Sequence, residues 1–293
     1  MKLYAPPVLN GAKLLGVFES GTSEWHEARA DGIGGSEEGT IMGLNRWESA
    51  YYLWASKTGK LPQKEIDSFP AWLGTNLEPF ILGPMLEKLH PDWDVSVTGT
   101  YQHPTISYLH ANPDAIAIID GEMVIVEVKT SRNYWDEVPA SYIAQVQHYM
   151  KVLGIKRSVI IGLVAMDPVE HWIEYDEFES DVATAACERF WDSVVNDEAP
   201  DWDGSDSTYQ AIRELNPDIT DEEVEIDGVH NLPLLQQAAE DAESELRKAK
   251  SNVLSVMGKA KHAYVEYDGK KIRVASRQSR GTGKPFLVIR KGK

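Results

Sequence analysis

A mixed α/β fold is predicted by three features of the chain. Two apolar, β-branched runs flank Asp120-Gly121, a dipeptide suited to the two-residue turn of a β-hairpin. Segments 71–90 and 141–154, on either side of that hairpin, carry apolar residues at helical spacing. A further β-branched run, SVIIGLVA at 158–165, follows the second of them. Helix, strands, helix, strand in that order is the layout of helices packed on a mixed central sheet.

In chain order, residues 1–20 read as an extended lead-in containing Pro6-Pro7, and 23–60 as short helices broken by glycine. The helix at 71–90 turns Leu77, Ile81, Leu82, Met85, Leu86 and Leu89 to one face, with Glu78 at its edge. Strands are expected near 95–101, 107–119 and 122–130. In the helix at 141–154, Ile143, Val146, Met150 and Val152-Leu153 form the apolar side, and Gln145 and Tyr149 are neighbours four apart. HWIEYDEF at 171–178 reads as a strand pairing back on 158–165, and 179–197 as a helix with Val182, Ala186, Phe190 and Val194 on one side. These elements place one domain over 1–200. Residues 201–228 are acidic and poor in apolar side chains, the composition of a linker or surface loop. The extension at 229–293 reads as a long helix, then a hairpin about Asp268-Gly269, then a final strand in PFLVIRK. The long helix is either a strut on the first domain, an oligomer contact or an arm that guides a duplex.

The chain of 293 residues can bury a full core. No run reaches membrane-spanning length and no secretory signal pattern opens it. The single Cys187 excludes an intrachain disulfide and any multi-cysteine metal cluster, and points to a reducing cytoplasm. A formal charge of −17 argues against coating nucleic acid nonspecifically. From Arg247 onward the balance reverses, with 14 Lys/Arg against Glu266 and Asp268. That basic tail meets phosphate or pairs with the acidic segments of its own or a neighbouring chain.

Within MVIVEVKT, Glu127 and Lys129 share one face of an otherwise apolar strand. Charges are rarely buried unless paired or bound to a metal. Asp114 ends the loop entering the preceding strand, and the hairpin can set it beside Glu127. Two carboxylates on a sheet suit Mg²⁺ or Mn²⁺ better than Zn²⁺. A lysine beside them can orient a water or stabilise a phosphoryl transition state. A satisfied Glu–Lys pair with Asp114 in a turn is the other reading of the same residues.

Asn112-Pro113-Asp114 followed by Glu127-Val128-Lys129 resembles the D…E-x-K core of the PD-(D/E)XK nuclease superfamily. Gly74 to Pro79 (GTNLEP) resembles its helical G-x-x-x-E-P element, and Gln145 with Tyr149 its Q-x-x-x-Y helix. Trp25-His26-Glu27-Ala28-Arg29 with Ile33-Gly34-Gly35-Ser36 resembles the W-x-x-x-R…S pattern of the phage-type branch, which includes lambda exonuclease, RecE and the YqaJ-like viral recombination nucleases. The likeness spans about residues 20–165 with five motifs in family order, and Ala115 departs from the glycine that members often carry after the aspartate.

That resemblance implies a restriction-endonuclease-like core and a Mg²⁺-dependent 5′-to-3′ exonuclease acting on double-stranded DNA ends. It implies metal ligation by Asp114, Glu127 and the Val128 carbonyl, with Glu78 as a further ligand. Lys129 would orient the attacking water, Gln145 would hold that water or a phosphate, and Tyr149 would brace Gln145. Arg29 and Ser36 would bind the 5′ phosphate. The implied products are 5′ mononucleotides and a 3′ single-stranded tail for recombination. Implied too are a single-strand annealing partner, a ring-shaped trimer and the cytoplasm of a bacterial host. An endonuclease on the same fold, or a noncatalytic module that binds DNA ends or a partner, are the alternatives.

Overall fold

A computed structural model describes residues 2–19, 21–63, 68–279 and 282–289. The chain divides into two units, Met1–Ile219 and Thr220–Lys293. The first begins with strands β1 (Lys2–Leu3), β2 (Val8–Leu9) and β3 (Ala12–Gly16), then helix α1 (Ser23–Ala30), strand β4 (Ile33–Gly34), and helices α2 (Gly35–Ile41) and α3 (Ala50–Lys57). Helix α4 (Phe69–Phe80) runs through a π turn, Ile81–Met85, into α5 (Leu86–Leu89). Strands β5 (Asp94–Val97), β6 (Thr100–Gln102), β7 (Leu109–Ala111), β8 (Ala115–Ile119) and β9 (Glu122–Ser131) lead to helix α6 (Ala140–Leu153). Strands β10 (Arg157–Val164) and β11 (Asp167–Glu174) and helices α7 (Glu177–Val195) and α8 (Asp206–Leu215) follow.

The larger sheet has the order β1-β5-β8-β9-β10-β11, and a second has the order β2-β3-β6-β7-β4. Asp120 and Gly121 take positive φ of 53° and 85°, the twist that a two-residue hairpin turn requires. The turn sets Ile119 opposite Glu122 and Ala115 opposite Val126. Because side chains alternate, β9 feeds two cores. Ile125 packs with Ile116, Ile160 and the Val146, Met150 and Leu153 side of α6. Val124 and Val126 pack with Ile81, Leu82 and Leu86. Each fully buried aliphatic side chain stabilises the fold by about 2 kcal/mol, so the hairpin's register is held from both faces.

Strand β10 lies parallel to β9, with Gly162 opposite Lys129. A Cβ at Gly162 would fall 1.7 Å from the Lys129 carbonyl oxygen. Only glycine permits that approach. Gly162→Ala is therefore expected to cost about 3 kcal/mol or more, the upper range for overpacking. A thermal melt shows the loss as a lowered midpoint, and an unchanged midpoint would contradict the close approach.

Three expectations are corrected here. The runs at 95–101 and 107–119 are each divided between the two sheets, as β5 and β6 and as β7 and β8. For the second run the cause is local: Pro113 has no N–H for a continuous ladder, and Asn112-Pro113-Asp114 carries the chain across. The helix predicted over 71–90 starts earlier, with Ser68 capping the Ala71 N–H. Its regular path is interrupted at 81–85, where Pro84 sits inside the wider π turn. Residues 206–215, inside the stretch read as linker or loop, form α8. Ser205 caps that helix, and Thr208 and Ala211 are buried where it packs on α3. Two small residues seat it, which is a weak apolar signal.

The second unit holds helix α9 (Leu232–Met257) and strands β12 (His262–Tyr267), β13 (Lys270–Gln278) and β14 (Phe286–Ile289). The three strands form one sheet in sequence order, with Asp268 and Gly269 at φ 50° and 69° in the first turn. Arg290 and Lys291, the end of the predicted last strand, lie outside the described residues. Among the described residues, no helix is long and apolar enough to cross a membrane.

Candidate active site

Glu127 takes the next position on the β9 face that Ile125 occupies, where it points toward α6. It is 2% exposed. Its Oε1 accepts from the Lys129 ammonium at 2.6 Å and from the Gln145 amide at 2.8 Å. Its Oε2 is buried with no hydrogen-bond partner. The second amide hydrogen of Gln145 goes to the Tyr149 hydroxyl, 2.9 Å away. Gln145 is thus a buried residue. Its place on the buried stripe of α6 with Val146, Tyr149 and Met150 explains why.

Asp114 closes the mouth of the hairpin. Its Oδ2 accepts from the Val128 N–H at 2.7 Å. The N–H and C=O of one residue in a strand point to the same side, so the Val128 carbonyl faces the Asp114 side, beyond the end of β8. Glu78 approaches on α4, which packs against β9; a Cβ at Gly74, one turn earlier, would lie 3.2 Å from the Thr130 hydroxyl.

The electrostatics record how these acids act on one another. Burial raises the Asp114 pKa well above the usual carboxylate range, and the charges of Glu127 and Glu78 push the same way. Burial also raises Glu78, with Glu127 adding to the shift and Lys129 opposing it. For Lys129, burial works against the ammonium, yet Glu127 and Asp114 outweigh it and raise its pKa. Lys129 also lies 4.8 Å above the Tyr142 ring, a favourable face for a cation. Tyr149 is pushed well above its ordinary pKa by burial and by the Glu127 charge, so it serves as a neutral hydroxyl. Three acids with raised or unsatisfied oxygens, and a carbonyl on the same side, make a hard-oxygen donor set. That set fits a divalent cation such as Mg²⁺ or Mn²⁺.

A second cluster of potential ligand groups also involves α6, through His148. Glu38, His148 and Cys187 form the one trio of candidate ligand atoms within 4.8 Å of one another among the described residues, so Glu78, Asp114 and Glu127 as a set are spaced more widely. Like-charge repulsion favours that wider spacing. In the tight trio, both ring nitrogens of His148 are engaged, Nδ1 with Glu38 at 2.8 Å and Nε2 with the His110 carbonyl at 3.0 Å. Burial opposes the charge on His148, but Glu38 and the carbonyl outweigh it and raise its pKa. This is a closed ion pair joining α2 to α6.

Arg29 lines a recess of about 40 Å³ together with Trp25, Gly35, Asn112 and Tyr149. The Arg29 guanidinium lies 3.4 Å from the Ser36 hydroxyl and 4.8 Å above the Trp25 ring. A Cβ at Gly35 would fall 2.6 Å from the Tyr149 ring, so this recess abuts the helix that holds Glu127.

Residues 24–156 match the family model described as the YqaJ-like viral recombinase domain. The residues named above from Arg29 to Tyr149 fall within that match. The uncharacterized protein YqaJ of Bacillus subtilis (strain 168) is 29% identical over 263 residues, covering 84% of this chain and 82% of its own. Among solved structures, an alkaline exonuclease (LHK-Exo) from Laribacter hongkongensis has a TM-score of 0.50 at 20% identity, covering 60% of this chain and 94% of that one. The same exonuclease in complex with dAMP has a TM-score of 0.51, again at 20% identity. The mixed α/β fold of this chain is therefore similar to that of the exonuclease.

The sequence reading quoted Asn112 beside Asp114 but gave no site role to it, to Glu37 or to Lys57. Glu37 and Lys57 bind the backbone and side chain around Arg29, and Asn112 joins the recess. Lys57 sits in AYYLWASK, a helix whose Tyr52 to Ala55 are buried. A lysine two positions beyond such a run was the available signal.

Proposed function

We propose that this chain is a Mg²⁺-dependent exonuclease that digests double-stranded DNA from its 5′ ends. The observation that carries the proposal is Glu127, with one oxygen clamped by Lys129 and Gln145 and the other buried without a protein partner. In this reading Asp114, Glu127 and the Val128 carbonyl hold the ion, with Glu78 as a direct or water-mediated ligand. Bound Mg²⁺ or Mn²⁺ would supply Lewis acidity at the scissile phosphate and lower the pKa of a coordinated water. Lys129 presents its ammonium at the partly exposed end of β9, where it orients the attacking water and meets charge developing on phosphate. Gln145 has both amide hydrogens committed, so it fixes the plane of the Glu127 carboxylate while Tyr149 braces it.

Arg29 and Ser36 receive the terminal 5′ phosphate, since a guanidinium fork beside a hydroxyl suits a phosphate dianion. The products are 5′ mononucleotides and a 3′ single-stranded tail, which a single-strand annealing protein would take up in phage-type recombination within a bacterial cytoplasm. A homo-oligomer, by analogy a ring-shaped trimer, is the expected assembly. The test is digestion of an end-labelled linear duplex with added Mg²⁺, beside a covalently closed circle. Mononucleotides released from the 5′ end with the circle intact are the expected result. Cutting of the circle would turn the assignment to an endonuclease, and no cleavage with any divalent ion would leave a binding module.

A further inference from the structure

Lys57 is a deeply buried cation beside Arg29. Its side chain is 2% exposed and that of its partner Glu37 is 8% exposed. The ammonium donates to both oxygens of Glu37, at 3.0 and 2.9 Å, to the Arg29 carbonyl at 2.6 Å, and to the Gly32 carbonyl. All four are acceptors, so the group is an ammonium; a neutral amine would set a lone pair against one of them. Glu37 in turn accepts from the Gly34 N–H at 2.8 Å and from the Arg29 guanidinium at 3.0 Å. Lys57 therefore grips Arg29 twice, directly through its carbonyl and indirectly through Glu37 at its side-chain end.

The charges decide what that grip achieves. Burial opposes ionisation of Glu37, yet Lys57 and Arg29 outweigh it and hold its carboxyl below the usual range. With Glu37 ionised, Arg29 and Lys57 leave the cluster with one net positive charge. Without Lys57 the sum is zero, and Arg29, 32% exposed, would have the Glu37 carboxylate as its full counter-ion. A guanidinium neutralised in that way has little left to offer a phosphate dianion.

We propose that Lys57 is a positioning residue which, by neutralising Glu37 and fixing the 29–37 turn, keeps the Arg29 charge available to select 5′-phosphorylated ends. This rests on the reading of Arg29 and Ser36 as the terminal-phosphate site. Neither Lys57 nor Glu37 needs to touch DNA for it to hold.

The test is equilibrium binding of a labelled duplex oligonucleotide, with a 5′ phosphate or a 5′ hydroxyl, in the presence of EDTA so that no turnover occurs. Wild type is expected to prefer the phosphorylated end by about tenfold, the worth of one charged hydrogen bond. Lys57→Met, which removes the charge and keeps the stem, is expected to bring that ratio near one. The double variant Lys57→Met/Glu37→Gln restores the net positive charge and is expected to recover most of the preference. Thermal melts accompany each protein, and if Lys57→Met does not fold, the double variant carries the test alone. A Lys57→Met protein that folds and keeps the preference overturns the inference. So does a folded double variant that shows none. If wild type itself shows no preference, the terminal-phosphate reading fails first, and the inference with it.

Discussion

Lys129→Met is expected to slow Mg²⁺-dependent digestion of linear duplex on the order of a thousandfold, with little change in KM. Methionine keeps the length and volume of the stem, so packing over Tyr142 survives. What disappears is the ammonium that bonds Glu127 Oε1 at 2.6 Å and faces the partly exposed end of the site. Loss of a charge that acts mainly on the transition state falls on kcat, and losing one such donor typically costs about 10²- to 10³-fold. Glu127 then keeps only Gln145 on Oε1, so the melting temperature should also fall, and the rate is read on protein shown by its melt to be folded. A folded Lys129→Met protein that digests DNA at the wild-type rate would remove Lys129 from the mechanism and restore the plain Glu–Lys pair as its explanation.

The second expectation concerns stability without metal. Asp114→Asn should melt higher than wild type near neutral pH in the presence of a chelator, although it is inactive. The asparagine Oδ1 can still accept from the Val128 N–H, while the charge repelled by Glu127 and Glu78 is gone. The sign follows from the pKa. Asp114 is raised in the folded state, so its contribution is fully present below the unfolded carboxylate value of about 3.9 and is lost as pH rises through the folded value. The two melting curves should therefore converge in acid and separate as pH increases. Added divalent ion should reverse the order: ion held at about a hundred times its Kd stabilises wild type by about 2.7 kcal/mol, and the variant by much less. If Asp114→Asn melts lower than wild type in chelator at neutral pH, Asp114 is a structural turn residue.

Periodicity made much of the domain legible in the sequence. The hairpin about Asp120-Gly121, the α6 helix and the β10–β11 pair all carry strong two- or 3.6-residue patterns. The second sheet was not legible, because β4 and β7 are two and three residues long and too short for any period to register. Strands of that size exist through tertiary pairing, as Ile33 does beside Leu109. In the site, the acids were readable because charge on an apolar strand demands a partner. Glu37 and Lys57 were not, since each alone looks like an ordinary helical charge. Their meaning comes from being 20 residues apart in the chain and 2.9 Å apart in space.

Cys187 sits at 0% exposure beside Glu38, and burial together with that carboxylate pushes its thiol pKa far up. A thiol so rarely ionised is a poor nucleophile, and maleimide or iodoacetamide cannot reach it in the native protein. The wild-type chain is thus a silent background for labelling. A cysteine introduced at an exposed position such as Ser244 on α9 would be the sole point of attachment for a dye or spin probe, with the native thiol left in place.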